Sequence, residues 1–466
     1  MSRLKFLFVV LILGMHVHAQ DLDYFLELNQ PTSFGDARFT SMSSATVALS
    51  GSMTAIALNP ALAGLYRQQG FSVNAGGMTR TMYDQDDLFL RGATNRAILP
   101  NFGWVSKDPE SPMRLFFVYN TDNAYARKFK IQASDANSMQ LPIIDYANGT
   151  PPELLADNLG PYEDMLFQCY AVDWDPDKRE YVSTADLTST DYTHNYFRKG
   201  IRNRVTLGAA FQHSPQWYFG GSFQLVTSSE DVEIEHRETY NTFSDLNYFS
   251  STEVWNNISL GISGNLGIYY RPFQFLRLGA VLELPQLHGF NLNWETTFSA
   301  TRPSQNSSAT TAQGYGTEYP WGVITAPKLQ TGATIVIGRT GLITAGHTSI
   351  PHSWTMSTGR NERYIAEIID STISNQFIFA LGTEWRFGPL ILRGGGQFSP
   401  SYREGQQAAT GYSLGLAIRS DQTTVEFGWQ RRIQRSQYYP FSKDYSDPFL
   451  YQMQEAILVA GVAWKI

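Results

Sequence analysis

The 466-residue sequence is poor in cysteine and in charge. Cys169 is the only cysteine, so an internal disulfide is excluded. Charged residues make up 17% of the chain, which is low for a soluble protein, and the net charge of −7 argues against a nucleic-acid partner. After residue 20 there is no run of about 18 apolar residues, which excludes a transmembrane helix. Aromatic residues, in contrast, reach 14%.

Signatures of active sites are scarce as well. None of the histidines stands in an H-E-x-x-H context or has a partner at a diagnostic spacing. The run Gly394–Gly396 is not followed by a predicted helix, which argues against a phosphate-binding loop. We therefore expect no enzymatic activity and no cofactor.

One motif has partial metal-ligand spacing. Asp173, Asp175 and Asp177 are spaced like the first three oxygen ligands of a calcium loop. Lys178 stands where the tight turn needs glycine, however, and Thr184 stands where a bidentate glutamate is needed. These residues are a weak calcium candidate, and a solvated acidic loop is the alternative.

The amino-terminal residues have the order of an export signal. Arg3 and Lys5 precede an apolar stretch over residues 6–15, and Val17-His18-Ala19 resembles a cleavage site. This predicts a signal peptide over residues 1–19. Its removal takes away two positive charges and changes the net charge from −7 to −9.

From residue 71 onward the sequence alternates with a period of two. Val205, Leu207, Ala209 and Phe211, for example, would share one face of a strand. Fourteen such segments can be placed, and their connections alternate between short and long, the longest being 121–200. This alternation is typical of outer-membrane barrels, whose turns are short on one rim and long on the other. We therefore predict an all-β fold, a 14-stranded antiparallel transmembrane β-barrel over residues 71–466.

Residues 20–70 differ from the rest because they are rich in small residues and nearly free of charge. Within them Asn59-Pro60-Ala61 predicts the start of a short helix, since Asn caps helices and Pro suits the first turn. Fourteen strands enclose a lumen too wide for side chains alone to fill. We therefore expect residues 20–70 to form a plug (hatch) of short helices, with residues 34–66 inside the lumen.

The order of signal, plug and fourteen strands resembles the FadL family of outer-membrane transporters of long-chain fatty acids and other hydrophobic compounds. The resemblance rests on Gly35, Arg38, Ala45, Asn59-Pro60-Ala61 and Gly76-Gly77. Beyond these residues it extends only to topology. It implies passive uptake of hydrophobic small molecules, such as fatty acids or aromatic hydrocarbons, with lateral release through a kinked strand. It also implies that Asn59, Pro60 and Ala61 belong to the plug gate.

Pro100 is the candidate for the wall kink, because proline cannot donate to a strand ladder. A harmless proline near the start of a strand is the alternative. The expected surroundings are the lipid and lipopolysaccharide of a bacterial outer membrane, and we expect a monomer. No basic residues could be matched to a fatty-acid carboxylate, so the ligand class stays open. Uptake would require an apolar pocket near the plug.

Two other functions compete with uptake. FadL-like barrels also serve as shuttle components of type IX secretion systems, in which case the 121–200 connection would be a docking surface for a secreted protein. An open diffusion porin is the third functional hypothesis. The plug and an apparent shortage of lumen arginines argue against it.

Overall fold

The computed structural model describes residues 26–85, 89–106, 111–240, 245–303, 310–313, 317–357, 369 and 371–465. The predicted signal peptide, residues 1–19, lies outside these ranges. No helix within them is both long and apolar enough to cross a membrane.

Fourteen antiparallel strands close into a barrel, as predicted. The first strand pairs with both the second and the last, which completes the closure. The wall strands are β1 Gly70–Asp84, β2 Leu90–Val105, β3 Met113–Ala136, β4 Thr190–Gln212, β5 Trp217–Tyr240, β6 Tyr248–Tyr270, β7 Leu276–Glu283 with Leu287–Thr301, β8 Thr317–Ile324 with Lys328–Ile337, β9 Gly341–Ile350, β10 Gln376–Phe387, β11 Leu390–Ser399, β12 Ala409–Arg419, β13 Thr423–Tyr438 and β14 Phe449–Lys465.

Two neighbouring wall strands are interrupted at the same height. Pro285 lies between the two segments of β7, and Pro327 lies between the two segments of β8. Proline lacks the N–H that a ladder requires, which explains both interruptions. The two breaks face each other, since the Thr325 N–H donates to the Gln286 carbonyl at 3.0 Å.

The strands extend further toward the long connections than the sequence pattern predicts. β3 continues to Ala136 and β4 begins at Thr190, so the connection expected over 121–200 shrinks to 137–189. The reason is that the alternation of apolar and polar residues fades in these extensions. A strand that carries polar residues on both faces is not recognised by its period.

The outward faces of the barrel carry large apolar side chains. Leucines on these faces remain strongly exposed, among them Leu207, Leu260, Leu266, Leu381, Leu414 and Leu458. An apolar outer band around a strand barrel is the surface that a bilayer covers.

Inside the barrel, the amino-terminal residues fold into short helices. These are α1 Ala37–Ser41, α2 Met53–Leu58 and the 3₁₀ helix Pro60–Leu65. Nearly every side chain of residues 34–63 is buried, although the helices themselves are too short to bury one another. The barrel wall provides the remaining contacts. We call residues 26–66 the plug.

A second folded unit lies at the rim with the long connections. Its helices are α3 Gln140–Ala147, α4 Leu155–Asn158 and α5 Pro161–Gln168, followed by a hairpin of Asp173–Asp175 and Glu180–Val182. We call residues 137–189 the cover. Its apolar residues pack against aromatic side chains of the strand ends, including Phe129, Tyr196, Phe249, Phe298 and Tyr438.

Candidate functional site

A single carboxylate connects the two α-helices of the plug. Asp36 Oδ1 accepts a hydrogen bond from the Phe39 N–H at 2.9 Å and so caps α1. Its Oδ2 accepts from Ser52 Oγ at 2.6 Å and from the Thr54 N–H at 3.1 Å, at the start of α2. The two helix starts therefore share one buried anion, which holds the plug together in spite of its short elements.

Asn59 attaches the plug to the wall. Its Oδ1 accepts from the Ala61 N–H at 3.2 Å, which is the predicted cap of the helix at Pro60. Its Nδ2 donates to the Val47 carbonyl at 2.8 Å within the plug and to the Ile268 carbonyl of β6 at 3.3 Å. The side chain is fully buried. These bonds are compatible with the predicted gate, but that role remains a prediction.

Glycines of the wall make room for the plug backbone. At each of eight positions an added Cβ would meet a plug atom, so we call them the glycine belt. At Gly395, for example, the Cβ would lie 2.7 Å from the Met42 carbonyl carbon. All eight pair with one another across the sheet, as Gly415 does with Gly428. The belt comprises Gly220, Gly267, Gly279, Gly332, Gly382, Gly395, Gly415 and Gly428.

A buried ion-pair network lies on the short-turn side of the plug. Arg38 of α1 lies 2.9 Å from Glu384 of β10 and donates to the Ser50 carbonyl at 2.5 Å. Glu384 also binds Arg393 at 2.9 Å, and Arg393 continues to Glu426 at 3.2 Å. A buried charge that loses its partner is strongly destabilising. The network therefore ties α1 to three wall strands.

A second buried network lies near the breaks in β7 and β8. Arg204 forms salt bridges with Asp122 at 2.7 Å and with Glu283 at 3.2 Å. Glu283 in turn binds Lys328 at 2.9 Å. Asp122 also accepts from Thr32 Oγ1 of the plug at 2.9 Å.

The expected shortage of lumen arginines was therefore wrong. Several arginines are buried inside the barrel, namely Arg38, Arg80, Arg198, Arg202, Arg204 and Arg393. Most of the neutralising carboxylates come from distant parts of the chain, as Glu384 does for Arg38, so the sequence pattern does not reveal these pairs. Arg38, Arg198 and Arg202 bind plug to wall, the others join wall strands, and the paired charges do not indicate an open pore.

A cavity of about 210 Å³ lies between the plug and strands β8–β14. Phe39, Val47, Leu58 and Ile378 supply apolar lining. Most of the remaining lining is polar, however, with amide, guanidinium and hydroxyl groups from both the wall and the plug. The predicted apolar pocket near the plug is therefore matched only in part, because apolar and polar side chains line the cavity together. The inward strand faces that produce the cavity are the polar faces of a period-two pattern.

The wall contains a seam between β2 and β3. Their backbone ladder runs only from Asn101–Val105 to Phe116–Asn120, although both strands continue toward the cover. Beyond the ladder, side chains make the connection. Thr94 Oγ1 donates to the Ala126 carbonyl at 3.2 Å, and Arg96 donates to the Tyr125 carbonyl at 3.2 Å. We call the contact between residues 90–100 and 121–136 the seam.

Pro100 lies where the seam begins. It immediately precedes Asn101, the first residue of the β2–β3 ladder, and sits in a bulge where β2 has one residue more than β1. β3 is irregular at the same height, since Asp122 is left out of its register with β4. Bulges locally disrupt a ladder and bend the strand. Pro100 is thus placed where a wall kink would be, and its role stays a prediction.

The calcium candidate residues have protein partners. Asp173 binds Arg302 at 2.9 Å, and Asp175 accepts from the Asp177 and Lys178 N–H groups at 3.0 and 3.2 Å. Those backbone bonds lower the pKa of Asp175. Within the described ranges, no group of three or more His, Cys, Asp or Glu side chains converges on a point that could hold a metal. A calcium role for the three aspartates stays a prediction.

One serine matches a nucleophile pattern that the sequence analysis did not single out. Gly411-Tyr412-Ser413-Leu414-Gly415 fits G-x-S-x-G, a motif whose function requires a sharp strand-to-helix turn. Ser413 instead lies within strand β12, and its Oγ forms a hydrogen bond of 2.8 Å with Ser43 of the plug. The motif therefore serves plug attachment here.

The barrel with its internal plug is similar to solved transporter structures. A FadL homologue from Pseudomonas aeruginosa superposes with a TM-score of 0.59 at 8% identity, covering 93% of this chain and 99% of that one. The chain therefore shares the plugged-barrel fold of this homologue. The toluene transporter TodX of Pseudomonas putida gives a TM-score of 0.56 at 12% identity, with 91% and 98% covered.

A third similar structure is the toluene transporter TbuX of Ralstonia pickettii. Its TM-score is 0.53 at 12% identity, with 94% of this chain and 99% of that one covered. No family model and no curated protein matches the sequence. At these identities the likeness establishes the fold alone.

Proposed function

We propose that this chain is an outer-membrane channel for the passive uptake of hydrophobic small molecules, which leave sideways through the wall. The observation that carries this proposal is the seam. Over residues 90–100 and 121–136 side-chain hydrogen bonds replace the backbone ladder. Few such bonds need to break for the wall to open, whereas a continuous ladder would have to lose many.

The other parts of the structure support the same direction of transport. The plug and its ion pairs close the short-turn side of the lumen, so a solute that enters below the cover has the seam as the weakest part of the wall. The end of the seam next to Pro100, where Leu99 is exposed, adjoins the apolar outer band, and an opening there would lead into hydrocarbon, where an apolar solute is more stable than in water. Lipid and lipopolysaccharide would surround this band, and a single chain suffices for the path.

The seam can be tested by cross-linking. Thr94→Cys with Ala126→Cys would join β2 to β3 across the seam. Burial raises the pKa of the Cys169 thiol to about 12, so the native cysteine should stay unreactive. We expect the oxidised variant to lose uptake of a labelled apolar solute into proteoliposomes, and reduction to restore it.

The matched control joins two strands that are already paired. Thr334 and Thr344 face each other in the β8–β9 ladder, with Oγ1 atoms 2.8 Å apart. Thr334→Cys with Thr344→Cys should leave uptake unchanged in either redox state. Full uptake by the oxidised seam variant would show that release does not pass through the seam.

Docking of a secreted protein, as in a type IX shuttle, is the second candidate function. It is favoured by the cover, which exposes Leu154, Tyr170 and Val182 on an otherwise well-packed unit. Exposed apolar side chains of this kind are common at protein interfaces. Co-purification of a stoichiometric protein that is lost in Leu154→Ser and Tyr170→Ser variants would support docking over uptake.

A further inference from the structure

Glutamine side chains from several elements meet in the cavity above the plug. Gln330 of β8, Gln376 of β10 and Gln397 of β11 come from the wall, and Gln30 comes from the plug. Gln330 and Gln376 are each only 4% exposed. Amides are costly to bury without partners, so their concentration here requires an explanation.

Part of this set is satisfied within the protein. Gln30 and Gln376 exchange two amide hydrogen bonds, of 3.1 and 3.2 Å, and Gln30 also donates to Tyr402 Oη at 3.2 Å. His352 Nε2 lies 3.1 Å from Gln376 Oε1. These residues close one end of the cavity and attach the plug to the loops.

The other amides lack partners among the described residues. Gln330 Nε2, Gln397 Oε1 and Gln406 Oε1 are buried and make no hydrogen bond there. Gln330 and Gln406 are both at least nine-tenths buried. Buried polar atoms of native proteins are nearly always paired with protein or with ordered water, so these atoms are available to bond a group that enters the cavity.

The hydrogen-bonding capacity of the glutamine amide limits which chemical groups can bind in the cavity. A glutamine presents one donor and one acceptor end whichever way its amide is turned. A hydrocarbon satisfies neither end, and a carboxylate satisfies only donors. A hydroxyl or an amide satisfies both.

Four arginines and two glutamates line the cavity. Arg127 pairs with Glu27 at 3.3 Å, and Glu455 pairs with Arg80 and lies 3.9 Å from Arg432. Arg403 donates to Ser436 Oγ at 3.2 Å, so each of the four guanidinium groups already has a protein partner. The apolar lining, Phe39 and Ile378 among it, gives room for an attached chain.

We propose that the cavity binds the neutral head of an amphiphile, a hydroxyl- or amide-bearing group attached to an apolar chain. The glutamines recognise the head and the apolar residues contact the chain. This inference deepens the proposed uptake function and rests on it for its biological meaning. It replaces plain hydrocarbons and free fatty acids as the best-fitting ligands.

The test compares ligands that share one tail. The barrel is placed in nanodiscs and offered four radiolabelled probes, namely dodecane, dodecanoic acid, 1-dodecanoylglycerol and N-dodecanoylethanolamine, with empty nanodiscs as background. We expect the glycerol and ethanolamide probes to bind at least tenfold more tightly than the other two. Both of these probes carry a hydroxyl and only the ethanolamide carries an amide, so tighter binding of the ethanolamide would show that the amide is recognised.

The variants Gln330→Leu and Gln397→Leu should each weaken binding of the glycerol and ethanolamide probes about fivefold and leave dodecane binding unchanged. Gln212→Leu, at an exposed glutamine at the end of β4, is the matched control. Heat-modifiable migration of each variant confirms a folded barrel. Equal binding of all four probes, or binding that the glutamine variants do not alter, would overturn the proposal and leave water as the occupant.

The same variants separate this inference from the uptake function. If the glycerol and ethanolamide probes bind through the glutamines but proteoliposomes take up none of the four probes, the proposed uptake function is contradicted and the proposed binding site is supported. If dodecane is taken up but the four probes bind equally well, the proposed binding site is contradicted and the uptake function is supported.

Discussion

Replacing Gly220 of the glycine belt by alanine should unseat the plug. An added Cβ would lie 2.9 Å from Ala61 Cα and still closer to the Pro60 carbonyl carbon, whereas ordinary contact begins at 3.4 Å. The 3₁₀ helix must therefore move away from β5 by about half an ångström or more. Both atoms in its way are backbone, so a side-chain rotation cannot relieve the contact.

The expected cost follows from two contributions. Overpacking of a well-packed site costs about 1–3 kcal/mol. The Asn59–Ile268 hydrogen bond, already 3.3 Å long, would also be lost, at about 1 kcal/mol. A total of about 2–4 kcal/mol would raise the population of unseated plug by about 30- to 700-fold, since about 1.4 kcal/mol corresponds to a factor of ten.

Planar-bilayer recordings would measure this effect as open events of the barrel. The control is Gly289→Ala in β7, where an added Cβ has no atom within 4 Å. Both substitutions restrict the unfolded chain equally, by about 0.4–1 kcal/mol, so their difference isolates the contact with the plug. A folded Gly220→Ala barrel whose leak current equals that of the wild type would refute the reasoning. A Gly289→Ala barrel that leaks as much as the Gly220→Ala barrel would refute it as well.

Two further predictions concern buried carboxylates. Glu384→Gln should weaken the attachment of the plug to the wall by about 3–5 kcal/mol, because Arg38 loses its buried anion. The leak current in planar bilayers should therefore rise, whereas Glu404→Gln, at an exposed position, should leave the leak current unchanged. Burial raises the pKa of Glu163 in the cover to about 7, from an ordinary 4.5. The folded cover therefore binds the proton more tightly than the unfolded chain, and its stability should fall by up to about 3 kcal/mol as pH rises from 4.5 to 7. Hydrogen exchange of residues 137–189 should show this fall in wild type and not in Glu163→Gln; a fall that persists in the variant would assign it to another group.

Local pattern was sufficient for much of this architecture. The period of two follows from the backbone of a strand, whose side chains alternate between faces wherever the chain is extended. It therefore marks strands without knowledge of their neighbours, and the alternation of connection lengths orders them into a barrel. Asn59-Pro60-Ala61 is equally local, because a cap and a first-turn proline act within four residues.

Features that depend on register needed the tertiary structure. Glu384 meets Arg38 only because β10 and α1 come to the same height in the lumen, and nothing near either residue indicates this. The seam is likewise a relation between two strands, since Pro100 marks where it begins but only the pairing of β2 with β3 shows where their ladder stops. The polar cavity arises in the same way, from amides that lie far apart in the chain and converge when the barrel closes. Periodicity is a property of one strand, so the elements and their order can be read along the chain, whereas pairing is a property of two strands and follows only from the closed barrel.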